Sequence, residues 1–246
     1  MEHDDRSTVA TFFNNVVPDA QTVATLGESA AHHARVKRLE ISDSVRIVDG
    51  VGRVGTGAIV ALERGVLQVA MDLVQEIPRQ SPLHLRVPIA DRDRMLLLAE
   101  KATELGITTW QAVRFRRSNS VSPRGEGPGF AEKVRARMSA AIEQSGDAWL
   151  PEILPDVSEA ELSFGPSELP ILLDVGGEPL ASTLTLPGRS SPVILFGPEG
   201  GLEAAERASL VKRGWQPARV AYSTLRFETA GIAAIAVCRN LHMLGE

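Results

Sequence analysis

Three short, largely apolar runs in the second half of the chain most limit what it can fold into. They lie at residues 171–173, 193–196 and 219–222, and such runs are typical of strands buried on both faces. Segments with helical spacing follow the last two runs, at residues 203–212 and 229–244. Strands that alternate with helices predict an α/β domain with a mainly parallel sheet. Ligands of such sheets bind beyond the carboxyl ends of the strands, so the loops after these runs are the candidate site.

The first 75 or so residues have a β-rich pattern instead. Residues 45–48 and 67–71 are strand-like, and the Asp-Gly-Val-Gly sequence at 49–52 is a hairpin signal because glycine tolerates a positive φ. A short helix is expected at residues 28–39. This part of the chain is predicted to form a small β-barrel or sandwich.

The spacing of apolar residues changes between the β-rich first part of the chain and the part in which strands alternate with helices. The segment at residues 75–82 contains two prolines and little to bury, so it is the predicted boundary. We therefore expect one domain over residues 1–78 and a second over residues 79–246. The second domain is also predicted to contain strands at 83–90 and 107–113 and helices at 92–105 and 130–145.

Composition excludes several classes of protein. A single cysteine, Cys238, rules out an intrachain disulfide or a cysteine-cluster metal site, and the five histidines lack metal-ligand spacing, so no metal is expected. The apolar stretches are too short to span a membrane, and the acidic N-terminus does not resemble a secretory signal. We expect a soluble cytoplasmic protein without a membrane partner.

Charge is unevenly distributed along the chain. The net charge is −5, yet residues 112–137 carry seven basic and two acidic residues, whereas residues 142–210 carry twelve acidic and two basic ones. A polyanion would be attracted by the first segment and repelled by much of the second. A solvated basic helix face would give the same pattern, so both interpretations stay open here.

Two loop motifs carry the candidate chemistry. The Gly-Pro-Glu-Gly-Gly sequence at residues 197–201 follows a predicted buried strand, and its glycines would let a ligand approach the backbone. Glu199 would repel a phosphate, so an uncharged or zwitterionic ligand fits better, although a tight turn alone would also explain the motif. The Leu-Arg-Phe-Glu-Thr-Ala sequence at residues 225–230 places Arg226 where it could stabilise negative charge. Glu228 of the same motif lies near a helix start, where a negative charge is favourable, so its presence has a structural explanation.

The Gly-Val-Gly-Arg-Val-Gly sequence at residues 50–55 matches a dinucleotide fingerprint only in its glycine spacing. That fingerprint requires a helix directly after it, and the residues that follow favour a strand. A glycine-rich hairpin explains the motif better. A nucleotide-binding oxidoreductase is kept as a minor alternative.

Several motifs taken together resemble one family. The motifs are KATELG at 101–106, RRSNSV at 116–121, EQSG at 143–146, GPEGG at 197–201 and LRFETA at 225–230. In their order they resemble those of the RsmE-type 16S rRNA uridine-N3 methyltransferases of the SPOUT class, and the similarity extends over nearly the whole chain. The resemblance implies a small N-terminal PUA-like β-barrel that binds RNA and a C-terminal SPOUT α/β domain with a trefoil knot.

The resemblance also implies an activity and partners. It implies transfer of a methyl group from S-adenosylmethionine to N3 of the family's target, uridine 1498 of 16S rRNA, on the assembled 30S subunit. It implies a homodimer formed through the knot domain. The loops at residues 174–178 and 221–224 and the residue Phe227 depart from the family pattern. A non-catalytic rRNA-binding assembly factor with the same fold therefore remains an alternative.

The resemblance suggests a role for individual residues. Arg226 and Glu199 are the expected catalytic residues, Arg226 for the uracil oxygens or a phosphate and Glu199 for orientation or proton acceptance. The expected cofactor-binding residues are Leu172, Leu173, Phe196, Gly197, Pro198, Glu199, Gly200, Gly201, Tyr222, Ser223, Leu225 and Thr229. The expected rRNA contacts are Arg35, Lys37 and Arg38 in the first domain and Arg116, Arg117 and Arg124 in the second.

Overall fold

The chain forms two units. A computed structural model describes residues 9–120, 123–184 and 191–243. The first unit contains the residues up to Arg79 together with Ser139–Leu150, and the second contains Gln80–Met138 and the residues from Pro151 onward. The sequence pattern did not anticipate that residues 139–150 belong with the first unit.

A mostly antiparallel five-stranded sheet forms the first unit, in the order β1-β3-β4-β5-β2. Its register shifts at two places between β4 and β5, and such bulges increase the curl of a sheet. The elements are β1 (Ala10–Phe13), β2 (Val23–Leu26), α1 (Glu28–Val36), β3 (Ser44–Val48), β4 (Arg53–Leu62) and β5 (Leu67–Glu76). The core of this unit is formed by apolar side chains such as Phe12, Ile47 and Leu67, all fully buried. The predicted β-rich domain and its helix are confirmed.

The predicted hairpin joins β3 to β4. Val48 pairs with Val54, and the turn between them has Gly50 and Gly52 at φ +76° and +104°. The Asp49 carboxylate accepts hydrogen bonds from the amides of Val51 and Arg53. Because β4 and not a helix follows these glycines, the motif has no helix N-terminus for a dinucleotide, and the oxidoreductase alternative loses its basis.

A six-stranded parallel sheet forms the second unit, in the order β11-β9-β10-β6-β7-β8. The strands are β6 (His84–Pro88), β7 (Thr109–Arg114), β8 (Glu152–Ser158), β9 (Glu168–Pro179), β10 (Ser191–Leu195) and β11 (Gln216–Arg219). The helices that follow β6 are α2 (Arg92–Glu104), α3 (Pro128–Ser145), α4 (Leu180–Leu184), α5 (Ala204–Lys212) and α6 (Phe227–Met243), with 3-10 turns at Arg116–Ser120 and Glu159–Glu161. The residues of α3 from Ser139 onward belong to the first unit. The predicted α/β class with a parallel sheet is confirmed.

The sequence predicted that a loop begins directly after Leu173. This is wrong, because strand β9 continues to Pro179. The pairing of β9 with β11 nevertheless jumps from Leu172–Pro217 to Glu178–Ala218. Residues 173–177 therefore have no partner on β11 and leave the ladder as a wide bulge. Gly177 packs against the β11 backbone, since a Cβ there would lie 2.4 Å from the amide nitrogen of Ala218.

The last predicted strand, at residues 219–222, is misplaced: β11 has the expected length but spans Gln216–Arg219, so only Arg219 is shared. The Arg219 guanidinium donates to the carbonyl of Gly177 and stacks on Tyr222, with 5.6 Å between its carbon and the ring centre. These contacts direct the chain out of the sheet, so Tyr222 is 95% exposed and lies in the connection to α6.

Helix α2 is fixed at both ends. The Asp91 side chain accepts hydrogen bonds from the amides of Asp93 and Arg94 at its start. At its end, Gly106 adopts φ +72° and the buried Arg239 of α6 donates to the carbonyls of Leu105 and Gly106. Part of the KATELG motif is thus explained as a helix ending, as the glycine stop predicted.

Candidate functional site

A cavity of about 500 Å³ opens at the carboxyl ends of β10 and β11, beside the bulge within β9. The bulge of β9, the turn after β10 and the connection from β11 to α6 form most of its wall, and Arg94 and Arg207 line it from α2 and α5. This is the edge of the sheet at which the sequence predicted a ligand.

The glycine-rich turn after β10 presents backbone to this cavity. The amide of Gly201 donates a 2.7 Å hydrogen bond to the carbonyl of Pro198, and Gly201 has φ +71°. A Cβ on Gly197 would lie 3.3 Å from Leu202, so a side chain there would crowd the turn. The turn is therefore closed by its own hydrogen bond, and glycine keeps the wall of the cavity open.

Most of the expected cofactor-binding residues line the cavity. Those that do are Leu173, Phe196, Gly197, Pro198, Glu199, Gly201, Ser223 and Leu225. Four others lie outside the lining. Leu172 is fully buried in the core beneath it, Gly200 faces Arg117, and Tyr222 and Thr229 are exposed.

The two expected catalytic residues, Arg226 and Glu199, both line the cavity. Arg226 is exposed, and among the residues that the structure describes its guanidinium has neither a hydrogen bond nor an ion pair. A cation that lines a cavity and has no partner within the described part of the chain is available for a ligand.

Glu199 is paired with Arg94, a residue that the sequence analysis missed. Arg94 Nη1 lies 3.2 Å from Glu199 Oε1 and 3.7 Å from Glu228 Oε2. Because β6 belongs to the same parallel sheet, its connection to α2 reaches the same edge as the other loops. The predicted strand at 83–90 followed by a helix was the signal that could have identified Arg94.

A second ion pair borders the cavity, between Asp174 in the β9 bulge and Arg207 of α5. Burial would by itself raise the pKa of the Asp174 carboxyl. The hydrogen bonds from Arg207 and from the amide of Gly176, with the charge of Arg207, outweigh burial and hold that pKa below its ordinary value. The carboxylate form is therefore favoured, and it fixes the bulge against α5.

Two of the expected RNA contacts lie beside the glycine-rich turn. Arg117 Nη1 donates to the carbonyl of Gly200, and the amide of Arg116 donates to the buried carboxylate of Glu206. The Arg116 side chain is 75% exposed and lies 3.4 Å from Glu203. The third candidate, Arg124, pairs with Glu126 at 2.9 Å. Val121, the last residue of the RRSNSV motif, is outside the described residues.

The candidates of the first unit all lie at the end of α1. Arg35, Lys37 and Arg38 are exposed. Arg35 donates to the carbonyls of Glu63 and Arg64, so part of its hydrogen-bonding capacity fixes the β4–β5 turn. Lys37 is the C-cap residue and Arg38 has a positive φ of 58°.

No three His, Cys, Asp or Glu side chains within residues 9–120, 123–184 and 191–243 cluster so that they could hold a metal ion. None of the helices in these ranges combines the length and apolar character needed to cross a membrane.

Comparison with known proteins gives concordant matches. A family model of the RNA methyltransferase domain matches residues 77–239, and one of the RNA methyltransferase PUA domain matches residues 26–70. The ribosomal RNA small subunit methyltransferase E of Mycobacterium bovis is 26% identical over 237 residues, which cover 91% of this chain and 88% of that protein. Its counterpart from Synechocystis is 25% identical over 223 residues, with 88% and 72% covered.

The fold also matches solved structures. The crystal structure of a ribosomal RNA small subunit methyltransferase E from Neisseria gonorrhoeae, bound to S-adenosyl methionine, superposes with a TM-score of 0.83 at 24% identity. The match covers 95% of this chain and 98% of that one. The match therefore shows that the chain has a known fold.

Proposed function

The chain belongs to the RNA methyltransferase family, whose domain spans residues 77–239, and we propose that it transfers a methyl group from S-adenosylmethionine to N3 of one uridine in 16S rRNA. The observation that carries this proposal is the joint presence in one cavity of Glu199 and of Arg226, which has no partner among the described residues. The likeness to the ribosomal RNA small subunit methyltransferases E supports the choice of RNA. The family's target, uridine 1498 on the assembled 30S subunit, is the specific site that we propose.

The cavity has the size and chemistry to hold S-adenosylmethionine. Its volume of about 500 Å³ is within the usual range for small-molecule sites, and apolar side chains alternate with open backbone around it. Leu173, Phe196 and Leu225 offer apolar surface for an adenine ring, and the turn at residues 197–201 offers backbone groups. The ligand carries charges of both signs, which matches a wall that contains Glu199 and Asp174 as well as arginines.

The reaction needs a proton acceptor and a stabiliser of negative charge. When bound, the cofactor supplies an electrophilic methyl group on a positively charged sulfur. The uracil must lose its N3 proton, and its N3 electron pair then forms the new bond to the methyl carbon while the sulfur keeps the electrons of the bond that breaks. We assign the proton to Glu199 and the negative charge on the uracil oxygens to Arg226. Both side chains line the same cavity, so proximity contributes much of the rate.

The RNA would approach along the basic segment. Arg116 and Arg117 adjoin the glycine-rich turn, and Arg116 is mostly exposed, so phosphates bound there would lie near the cavity mouth. Arg35, Lys37 and Arg38 would give the first unit a second phosphate contact.

We further propose a cytoplasmic homodimer that assembles through a knotted C-terminal domain. Helix α6 supports this assembly, since Ile232, Ala233 and Val237 are only partly buried and Ala236 is exposed. These apolar residues would be covered by the same helix of a second copy. Light scattering at micromolar concentration should give the mass of two chains.

The decisive experiment supplies labelled S-adenosylmethionine and 30S subunits that lack the modification. Label on N3 of one 16S uridine, mapped by nuclease digestion and mass spectrometry, is the expected result. Binding of the cofactor without transfer to any rRNA would favour the non-catalytic assembly factor, and absence of cofactor binding would contradict the proposal.

A further inference from the structure

Arg94 connects the two loop motifs through their acids. Its Nη1 is 3.2 Å from Oε1 of Glu199, in the glycine-rich turn, and 3.7 Å from Oε2 of Glu228, in the first turn of α6. In the described ranges, neither carboxylate pairs with any other cation. One guanidinium therefore holds both motifs against the start of α2.

The backbone of Arg94 is itself fixed. Its amide donates a 3.1 Å hydrogen bond to Oδ1 of Asp91, the N-cap residue of α2. The guanidinium thus extends from a well-anchored helical turn, which makes it suitable for setting the position of other groups.

The two carboxylates that it contacts differ in environment. The Glu228 side chain is 15% exposed, and its Oε2 is buried without a hydrogen bond. Without Arg94, this carboxylate would be left as a nearly buried charge with no counter-ion, which destabilises a fold. The effect of Arg94 on Glu228 is therefore an effect on stability.

Glu199 has a different relation to Arg94. Its side chain is 23% exposed and lines the cavity, and Arg94 engages Oε1. Oε2 has no partner among residues 9–120, 123–184 and 191–243, so it is free to accept a proton or hydrogen bond from a ligand. The ion pair fixes the rotamer of the carboxyl group and leaves one oxygen available.

The turn that carries Glu199 does not depend on Arg94. It is closed by the Gly201–Pro198 hydrogen bond and held from the other side by Arg117 at 2.8 Å from the Gly200 carbonyl. Loss of Arg94 would therefore release the Glu199 side chain and leave the backbone wall of the cavity in place.

We propose that Arg94 is a positioning residue for methyl transfer, which it serves by holding the Glu199 carboxylate towards the reacting base. This inference rests on the proposed function. It separates two effects of one side chain, on catalysis through Glu199 and on stability through Glu228.

Four variants test it. R94M removes the cation, R94M/E228Q also removes the carboxylate that would be left without a counter-ion, and R94K keeps a charge. K212M is the matched control, since it removes an exposed cation of α5 that does not line the cavity. We measure kcat and KM for methyl transfer to 30S subunits, the urea midpoint of unfolding, and the Kd of S-adenosylmethionine by calorimetry.

The expected pattern is a separation of catalysis from stability. R94M should lower kcat by about 10- to 100-fold, because misplacing a reacting group costs that much. R94M/E228Q should recover the unfolding midpoint but not kcat, and R94K should recover much of the kcat. The Kd and KM of the cofactor should change by no more than about threefold, since the backbone wall remains. K212M should behave as wild type in every assay.

Three results would overturn the inference while leaving the proposed function intact. They are an R94M chain with wild-type kcat, an R94M/E228Q chain that recovers kcat together with stability, and a cofactor Kd raised by more than about thirtyfold in R94M. The last would mean that Arg94 holds the cofactor itself. A wild-type chain that binds the cofactor but methylates no rRNA would count against the proposed function and this inference alike.

Discussion

Arg117 donates a 2.8 Å hydrogen bond from Nη1 to the carbonyl oxygen of Gly200, which ties the basic segment to the glycine-rich turn. Beside it, the buried Glu206 carboxylate accepts from the amides of Arg116 and Glu203, at 2.9 and 2.8 Å. Because Glu203 is the N-cap residue of α5, these bonds join the candidate RNA contacts to the wall of the cofactor cavity.

The two neighbouring arginines should therefore differ when substituted. R116Q and R117Q should each lower the salt dependence of RNA binding by about 0.7 in the log–log slope, the effect of one single-stranded phosphate contact. Only R117Q should also weaken S-adenosylmethionine binding, since only Arg117 supports the turn. Fluorescence anisotropy across a salt series and calorimetry measure the two effects. K212Q, on the exposed surface of α5, is the control, and an unchanged slope in both arginine variants would remove them from the RNA interface.

Arg226 should matter for turnover more than for cofactor binding. R226A should reduce kcat by about 10²- to 10³-fold, as loss of one oxyanion donor does. R226K, which keeps the charge without the planar fork, should recover part of the loss. Single-turnover methylation of 30S subunits measures the rate. Activity within twofold of wild type in R226A would exclude Arg226 from the mechanism.

The ion pair at the β9 bulge should make stability depend on pH. Arg207 and the Gly176 amide hold the pKa of Asp174 below its ordinary value of 3.8. The ionised form is thus favoured in the folded chain, so its contribution is complete above the ordinary value and is lost as the pH falls through the lowered one.

Urea unfolding from pH 7 to pH 3 tests this dependence. The D174N chain should be less stable than wild type by about 0.5–1 kcal/mol at pH 6–7, since the pair is partly exposed. That difference should shrink below about pH 4 as Asp174 becomes protonated. A difference that stays constant down to pH 3 would contradict the assignment of the pKa shift to this pair.

Gly177 should not tolerate a side chain. In G177A the new Cβ would lie 2.4 Å from both the amide nitrogen of Ala218 and the carbonyl carbon of Pro217. Backbone atoms cannot rotate away, so we expect a loss of about 1–3 kcal/mol in the free energy of unfolding, with weaker cofactor binding because the bulge lines the cavity. G176A is the matched control, since its Cβ would meet only the Asp174 carboxylate at 3.3 Å. Equal stability of the two variants would refute the packing argument.

Cys238 should be unreactive in the folded chain. Burial raises the pKa of its thiol to about 12, with a smaller opposing effect from Arg239. Because the thiolate is the nucleophile, a disulfide reagent at pH 8 should modify Cys238 only at the rate of unfolding. Addition of urea should increase this rate in parallel with the unfolded fraction. Rapid modification of the native chain would show that the interior of α6 is accessible.

Much of the fold could be predicted from the sequence because local patterns determine it. The buried runs that became β9 and β10, the helix at Arg92–Glu104 and the hairpin at Gly50 follow from hydrophobic period and glycine chemistry. Glu199 and Arg226 could be proposed because each follows a strand in a parallel sheet, whose carboxyl ends share one edge.

The rest depends on contacts between distant parts of the chain. Arg94 and Arg207 line the cavity because α2 and α5 start at that edge. The predicted strand–helix order indicates the edge for Arg94, but no local pattern shows which side chains of these helix starts face the cavity. The bulge at residues 173–177 arises from pairing with β11, so no period within β9 indicates it. Tyr222 leaves the predicted strand because Arg219 binds across to Gly177.

The hydrogen bonds of Arg239 determine when the second unit can be completed during synthesis. Its guanidinium donates to the carbonyls of Ser81, Leu105 and Gly106, which precede it by 133 to 158 positions. These carbonyls leave the ribosome long before the last helix does, and water must serve as their partner until then. The unit that carries the cavity therefore becomes complete only after α6 has been synthesised, whereas all five strands of the first sheet lie between Ala10 and Glu76.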